Sequence, residues 1–242
     1  MFMKKKALLL YPPQHCTKGY FENWLNGYSG NFPMGLLKIS TFLKSQDYEI
    51  DFIDAFNVFD YENKEYQRFF VEQNIVRHAR YGNFEQEKRT RPIYHVGLDY
   101  QEIKDRLQDL NASPDEVYIS SLFTWSWQTT HECVRLIKIV FPNAKVILGG
   151  IYPSLCPEHA KLSGADKIVR GTFKEAQNCW LDKDILLKQG KFQVGMFKTS
   201  LGCPNNCSYC AVNVLEGKKM RFRDPLDVAD EIISVTTQRN FD

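Results

Sequence analysis

Three cysteines, Cys203, Cys207 and Cys210, fall within eight residues at C-x3-C-x2-C spacing. Thiolates this close can converge on one metal centre if the loop between them wraps tightly. Pro204 stiffens that loop, and Asn205 and Asn206 tolerate the left-handed backbone that sharp turns need. Iron–sulfur clusters are held by cysteine thiolates, normally four for a four-iron cube. A cube held by three leaves one iron open to another molecule. A structural zinc site is an alternative, but zinc closes four ligands, usually from two separated knuckles. The other cysteines, Cys16, Cys133, Cys156 and Cys179, stand singly upstream. Inert thiols are the third reading. A disulfide would need an oxidising compartment, which nothing in the sequence indicates.

The elements that position these thiols follow from the periodicity. The 242 residues suffice for one large or two ordinary domains, and 43% hydrophobic content is enough for a core. A net charge of +2 implies no strongly charged partner, and the aromatic residues form no basic stripe, so nucleic-acid binding is not signalled. The charged start is followed by an apolar run that stops at Pro12, which reads as a first strand over 6–11 rather than a secretory segment. No run approaches the roughly 18 apolar residues of a membrane span. Seven cysteines in a chain of this kind fit a reducing cytoplasm.

Further strands are expected over 49–55, 116–122, 144–148 and 167–170, with helices over 33–46, 99–110, 128–140 and 157–162. Their alternation predicts a flavodoxin- or Rossmann-like, doubly wound parallel sheet over residues 1–171. Residues 57–97 read as a polar insertion with a helix over 61–70. Residues 172–191 read as a linker with helical character. A strand over 192–199 should feed the cysteine loop. Asp224 and Pro225 then open a helix with Ala229, Ile232, Ile233 and Thr236 on one side. His78, His95, His131 and His159 form no ligand-spaced pairs and are expected to be structural or solvated. Lys218, Lys219, Arg221 and Arg223 read as a solvated basic run, or as charge balance for an anionic centre.

The cysteine motif resembles that of the radical S-adenosylmethionine (SAM) enzymes. The resemblance implies a [4Fe-4S] cluster on Cys203, Cys207 and Cys210, with SAM chelated at the open iron and Tyr209 near its adenine. It also implies an electron donor such as flavodoxin or ferredoxin, and makes 192–242 the first β-α unit of a TIM-like barrel. Residues 1–171 resemble the B12 (cobalamin)-binding domain that precedes the barrel in one branch of that family. Ser120, Ser121 and Leu122 match its S-x-L at the third strand, and Gly149 and Gly150 match its later glycine pair. Here the resemblance implies cobalamin as a further cofactor, and a methyl transfer by a radical route. His15 stands about where the D-x-H-x-x-G carriers place their cobalt ligand. The Asp of that motif is replaced by Pro13, however, and its Gly falls one residue late, at Gly19. A ligating histidine needs its other nitrogen fixed by a partner. The alternatives are a cobalamin or cofactor module without catalysis, a flavodoxin-like domain that binds no cobalamin, and a zinc protein. With one barrel unit in view, the chain reads as part of a longer enzyme and is not expected to turn over SAM alone.

Overall fold

The computed structural model describes residues 4–16, 33–56, 70–77, 89–188 and 196–237. The chain opens with β1 (Lys6–Tyr11), β2 (Gln14–Cys16), α1 (Met34–Ser45) and β3 (Glu49–Asp54). It continues with β4 (Phe70–Arg77), β5 (Arg89–Val96), α2 (Tyr100–Gln108), β6 (Glu116–Ser121) and α3 (Trp127–Val140). Then come β7 (Lys145–Gly150), α4 (Ile151–Leu155), α5 (Pro157–Lys161), β8 (Lys167–Ile168) and α6 (Lys183–Lys188). The last described elements are β9 (Ser200–Leu201), α7 (Val212–Leu215), β10 (Arg221–Phe222) and α8 (Pro225–Thr236).

Five parallel strands form one sheet in the order β3-β1-β6-β7-β8. This is the flavodoxin-like order 2-1-3-4-5, in which ligands bind beyond the carboxyl ends of the strands. After Lys6, the apolar β1 serves both faces, because successive side chains point opposite ways. Leu8 and Leu10 join Ile103, Leu107, Val134 and Ile137 of α2 and α3 in one core. Ala7, Leu9 and Tyr11 join Leu36, Leu37 and Leu43 of α1 in the other. Leu181, Ile185 and Leu186 are buried in that second core, so the segment expected as a linker covers the sheet face beside α1.

The insertion leaves and re-enters at one point. The Leu98 amide donates to the Ala55 carbonyl at 2.7 Å, and Gly97 (φ 115°) lies so close that a Cβ would meet that oxygen at 2.2 Å. Between these ends, β5 pairs antiparallel with both β4 and β2. The helix expected over 61–70 lies outside the described residues apart from Phe70, which begins β4, and His78 also lies outside them. The fifth parallel strand stops at Ile168, earlier than expected. The Val169 amide still reaches the Leu148 carbonyl at 2.8 Å, and Gly171 (φ 75°) then turns the chain.

The carboxyl-terminal segment departs further from expectation. Residues 196–199 are not strand; 192–195 lie outside the described residues. β9 is two residues long and pairs antiparallel with β10, so a parallel barrel strand is not what the described residues form here. Arg223 occupies the preceding backbone instead, its amide bonding to the Thr199 carbonyl at 2.9 Å and its guanidinium to the Lys198 carbonyl at 3.1 Å. α8 starts as expected, with the Asp224 side chain accepting from the Leu226 amide at 2.9 Å. Its inward side is not the one expected. Val228 and Glu231 are buried, whereas Ile232 and Ile233 face solvent. Among the described residues, no helix is long and apolar enough to cross a membrane.

Candidate functional site

A cleft of about 290 Å³ opens at the carboxyl ends of β6 and β7. Ser120, Gly149 and Gly150 border it, together with the first turn of α1 and residues 171–173. Parallel register sets Ser120 against Gly149 and Ser121 against Gly150. Gly150 has φ 104°, and a Cβ there would meet the Ser121 carbonyl at 2.2 Å, so only glycine fits without a backbone shift. Gly149 is different. A Cβ there would meet the Val169 Cβ at 3.7 Å, an ordinary contact. Its missing side chain leaves room in the cleft rather than relieving strain.

Buried hydroxyls hold this wall. Thr130 Oγ1 donates to Ser121 Oγ at 2.9 Å. Ser154 Oγ donates to the Gly150 carbonyl at 2.5 Å and accepts from the Gly171 amide at 2.9 Å. Ser121 therefore packs behind the cleft, and Leu122 joins the core beside α1; neither borders the opening. Ser154 could have been found in the sequence, four residues after Gly150, where a helical turn brings its hydroxyl back onto the glycine carbonyl.

His15 is only 6% exposed and does not border the cleft. It sits in β2 opposite His95, with ring centroids 5.8 Å apart. Its amide donates to Ser126 Oγ at 3.0 Å, and Thr129 Oγ1 donates to the Pro13 carbonyl at 2.7 Å. These bonds stitch the first loop onto the start of α3. His95 Nε2 lies 2.8 Å from the Leu98 carbonyl. His131 and His159, expected to be structural or solvated, are joined through Tyr152. Its hydroxyl lies 2.8 Å from His131 Nε2 and 2.7 Å from His159 Nδ1. Burial and the neighbouring His159 lower the pKa of His131, and burial pushes the Tyr152 phenol up to about 12.

The opposite wall is the base of the cysteine loop, where Lys198, Leu201, Leu215 and Glu216 border the cleft. The Glu216 carboxylate pairs with Lys198 and accepts from the Gly202 amide at 3.0 Å. Gly202 (φ 84°) approaches the Lys219 carbonyl so closely that a Cβ would lie 2.3 Å from it. Beyond this base the loop is open. Cys203 and Cys210 are half-buried, Cys207 is exposed, and Tyr209 is 90% exposed. Among the described residues, no three His, Cys, Asp or Glu side chains converge as a metal-binding group. The donor chemistry of the three thiols suits iron, but the loop does not hold them together.

Arg223 corrects the solvated-run expectation. Its side chain is buried and bonds to Asp227 and Glu231, at 2.5 Å in each case. The Leu181 amide donates to Glu231 at 2.7 Å, and Trp180 Nε1 donates to Asp227 at 2.7 Å. This network seats α8 against the segment that covers the sheet. Lys218, Lys219 and Arg221 are exposed.

Residues 91–178 match the B12 binding domain family. That span holds β6, β7 and the loops at the β-strand side of the cleft, and leaves out the cysteine loop. No curated protein matches the chain. Among solved structures, the chain is similar to a cobalamin-binding protein from Desulfitobacterium hafniense DCB-2, with 14% identity and a TM-score of 0.39. The likeness covers 77% of this chain and 59% of that one.

Proposed function

We propose that this chain is a cobalamin-binding module and that the cleft receives the nucleotide end of the cofactor. The observation that carries the reading is the meeting of Ser120, Gly149 and Gly150 around one opening, within residues that match the B12 binding domain. Gly149 supplies space for a flat ring against the strand ends, Gly150 fixes the turn, and Ser120 offers a hydroxyl at the rim. Ile39, Ile147 and Val169 supply apolar walls. Bound cobalamin would supply a cobalt centre able to carry a methyl group. His15 is turned into the β2–β5 pairing, which favours binding without a protein imidazole below the metal. Residues 1–171, with the insertion at 57–97, form the module; the covering segment to residue 188 belongs with it because its leucines are in the core.

The test is an absorbance titration of the whole chain with cobalamin, followed by electron resonance of the Co(II) form. Uptake of one cobalamin per chain, with the same spectrum in His15→Ala, is the expected result. No uptake at micromolar cobalamin would favour the flavodoxin-like alternative, and nitrogen splitting that vanishes in His15→Ala would reinstate that histidine as a ligand.

The C-x3-C-x2-C spacing favours a second, additional reading. Cys203, Cys207 and Cys210 would hold a [4Fe-4S] cluster once drawn together, SAM would lie beside Tyr209, and residues 192–242 would begin a radical SAM unit fed by flavodoxin or ferredoxin. Such a cluster supplies single electrons to SAM. Anaerobic reconstitution should then give about four irons per chain, as a thiolate-bound cube requires. Cys203→Ala, Cys207→Ala and Cys210→Ala should each lose it; stoichiometric zinc, or iron retained in all three variants, would remove this reading.

A further inference from the structure

We infer that the cleft seats an anionic group of its ligand, a phosphate or phosphodiester, against Lys38 and the amino-terminal turn of α1. The inference rests on the cobalamin reading and deepens it: the group would be the phosphodiester of the nucleotide tail.

Lys38 borders the cleft and is only 9% exposed. Its Nζ donates to the Gln177 carbonyl at 3.3 Å, and no carboxylate among the described residues forms an ion pair with it. Neighbouring cations are satisfied differently. Lys44 pairs with Asp182 at 2.8 Å, Lys198 with Glu216, and Arg223 with Glu231. Burying a cation without a counter-ion is costly, and the cost is relieved by an anion that arrives with the ligand. Burial lowers the pKa of Lys38, with Arg223 and Lys198 acting in the same direction and Glu231 against it.

The backbone beside Lys38 points to the same ligand chemistry. Pro33 caps α1 without a side-chain hydrogen bond, and the first turn holds no acidic residue. The first helical bond runs from the Leu37 amide to the Pro33 carbonyl at 3.1 Å. The amides before it lack helical partners and carry the positive end of the helix dipole, an anion-binding arrangement. Met34, Gly35 and Lys38 border the same opening, and a Cβ on Gly35 would meet nothing within 4 Å among the described residues. Among the described residues, the one acidic side chain on the cleft, Glu216, is already neutralised by Lys198. The charge left over is that of Lys38.

The experiment compares wild type, Lys38→Met and Lys38→Arg, as the full chain, with cobalamin and with cobinamide, which lacks the nucleotide and its phosphodiester. Wild type should bind cobalamin more tightly than cobinamide. Lys38→Met should weaken cobalamin by about tenfold to a hundredfold, the range for a hydrogen bond to a charged group, and leave cobinamide unchanged. Lys38→Arg should keep most of the affinity. Cobalamin bound equally by wild type and Lys38→Met would overturn the inference. If wild type binds neither corrinoid, the cobalamin reading has failed, and calorimetry with inorganic phosphate decides the subsite alone. Phosphate bound by wild type and not by Lys38→Met would support it; no phosphate binding by wild type would overturn it.

Discussion

One wall of the cleft is held by buried contacts: Thr130 on Ser121, Ser154 between Gly150 and Gly171, and strands in parallel register behind them. The other ends in a loop whose base is pinned by Glu216 and Gly202, but whose Cys207 and Tyr209 stand open to solvent with Cys203 and Cys210 only half-buried. The hydrogen bonds of the first wall are internal to the protein and need no ligand to form. The second carries the three thiols, and among the described residues no contact gathers them. A ligand should therefore find a preformed recess on the sheet side and order the cysteine side only by supplying bonds itself.

Substitutions can break this contrast, beginning with the largest effect. Gly150→Ala should destabilise the fold by about 3 kcal/mol or more, because a Cβ cannot share space with the Ser121 carbonyl and the positive φ strains any other residue. A thermal unfolding curve near wild type would show that the strand ends are less fixed than described. Arg223→Met should come next, at about 3 kcal/mol, since it leaves Glu231 buried without its cation. Proteolysis should then release α8 while the sheet stays folded; simultaneous loss of both would mean the two halves form one cooperative unit. Cys203→Ala should leave the melting temperature within about a degree or two, as expected of a half-exposed loop thiol, whereas a large drop would give this thiol a structural role.

The smallest effect concerns pH. The pKa of His131 is lowered in the folded chain, so the unfolded chain binds the proton more readily. Its contribution to stability is full above the unfolded value of about 6.5 and declines as pH falls through it. A His131→Phe variant should flatten that decline in denaturant midpoints measured between pH 5 and 8; an unchanged slope would assign the effect elsewhere.

The sequence announced the sheet side far better than the cysteine side. β1 is apolar from Ala7 onward because both of its faces are covered there, and Ser120 and the glycine pair stand at strand ends, where period and spacing fix their neighbours. Lys38 was not legible. It lies beside the apolar positions of α1, and its hydrogen-bond partner is the Gln177 carbonyl, 139 residues away. The inward face of α8 was misread for a related reason. Apolar periodicity favoured Ile232 and Ile233, but Arg223 and the Leu181 amide both require the Glu231 carboxylate, and that polar demand turned the helix. The antiparallel β4–β5 pairing also escaped, since the polar insertion shows no strand alternation strong enough to outweigh its charge.

Gly149 separates recess from scaffold most cleanly, because a side chain there fills space without straining the backbone. The decisive measurement is cobalamin uptake by wild type and Gly149→Val, with folding checked by circular dichroism. Stoichiometric uptake by wild type and a loss of at least tenfold in the folded variant is the expected result. Equal uptake by both, or none by wild type, would contradict the assignment of this cleft.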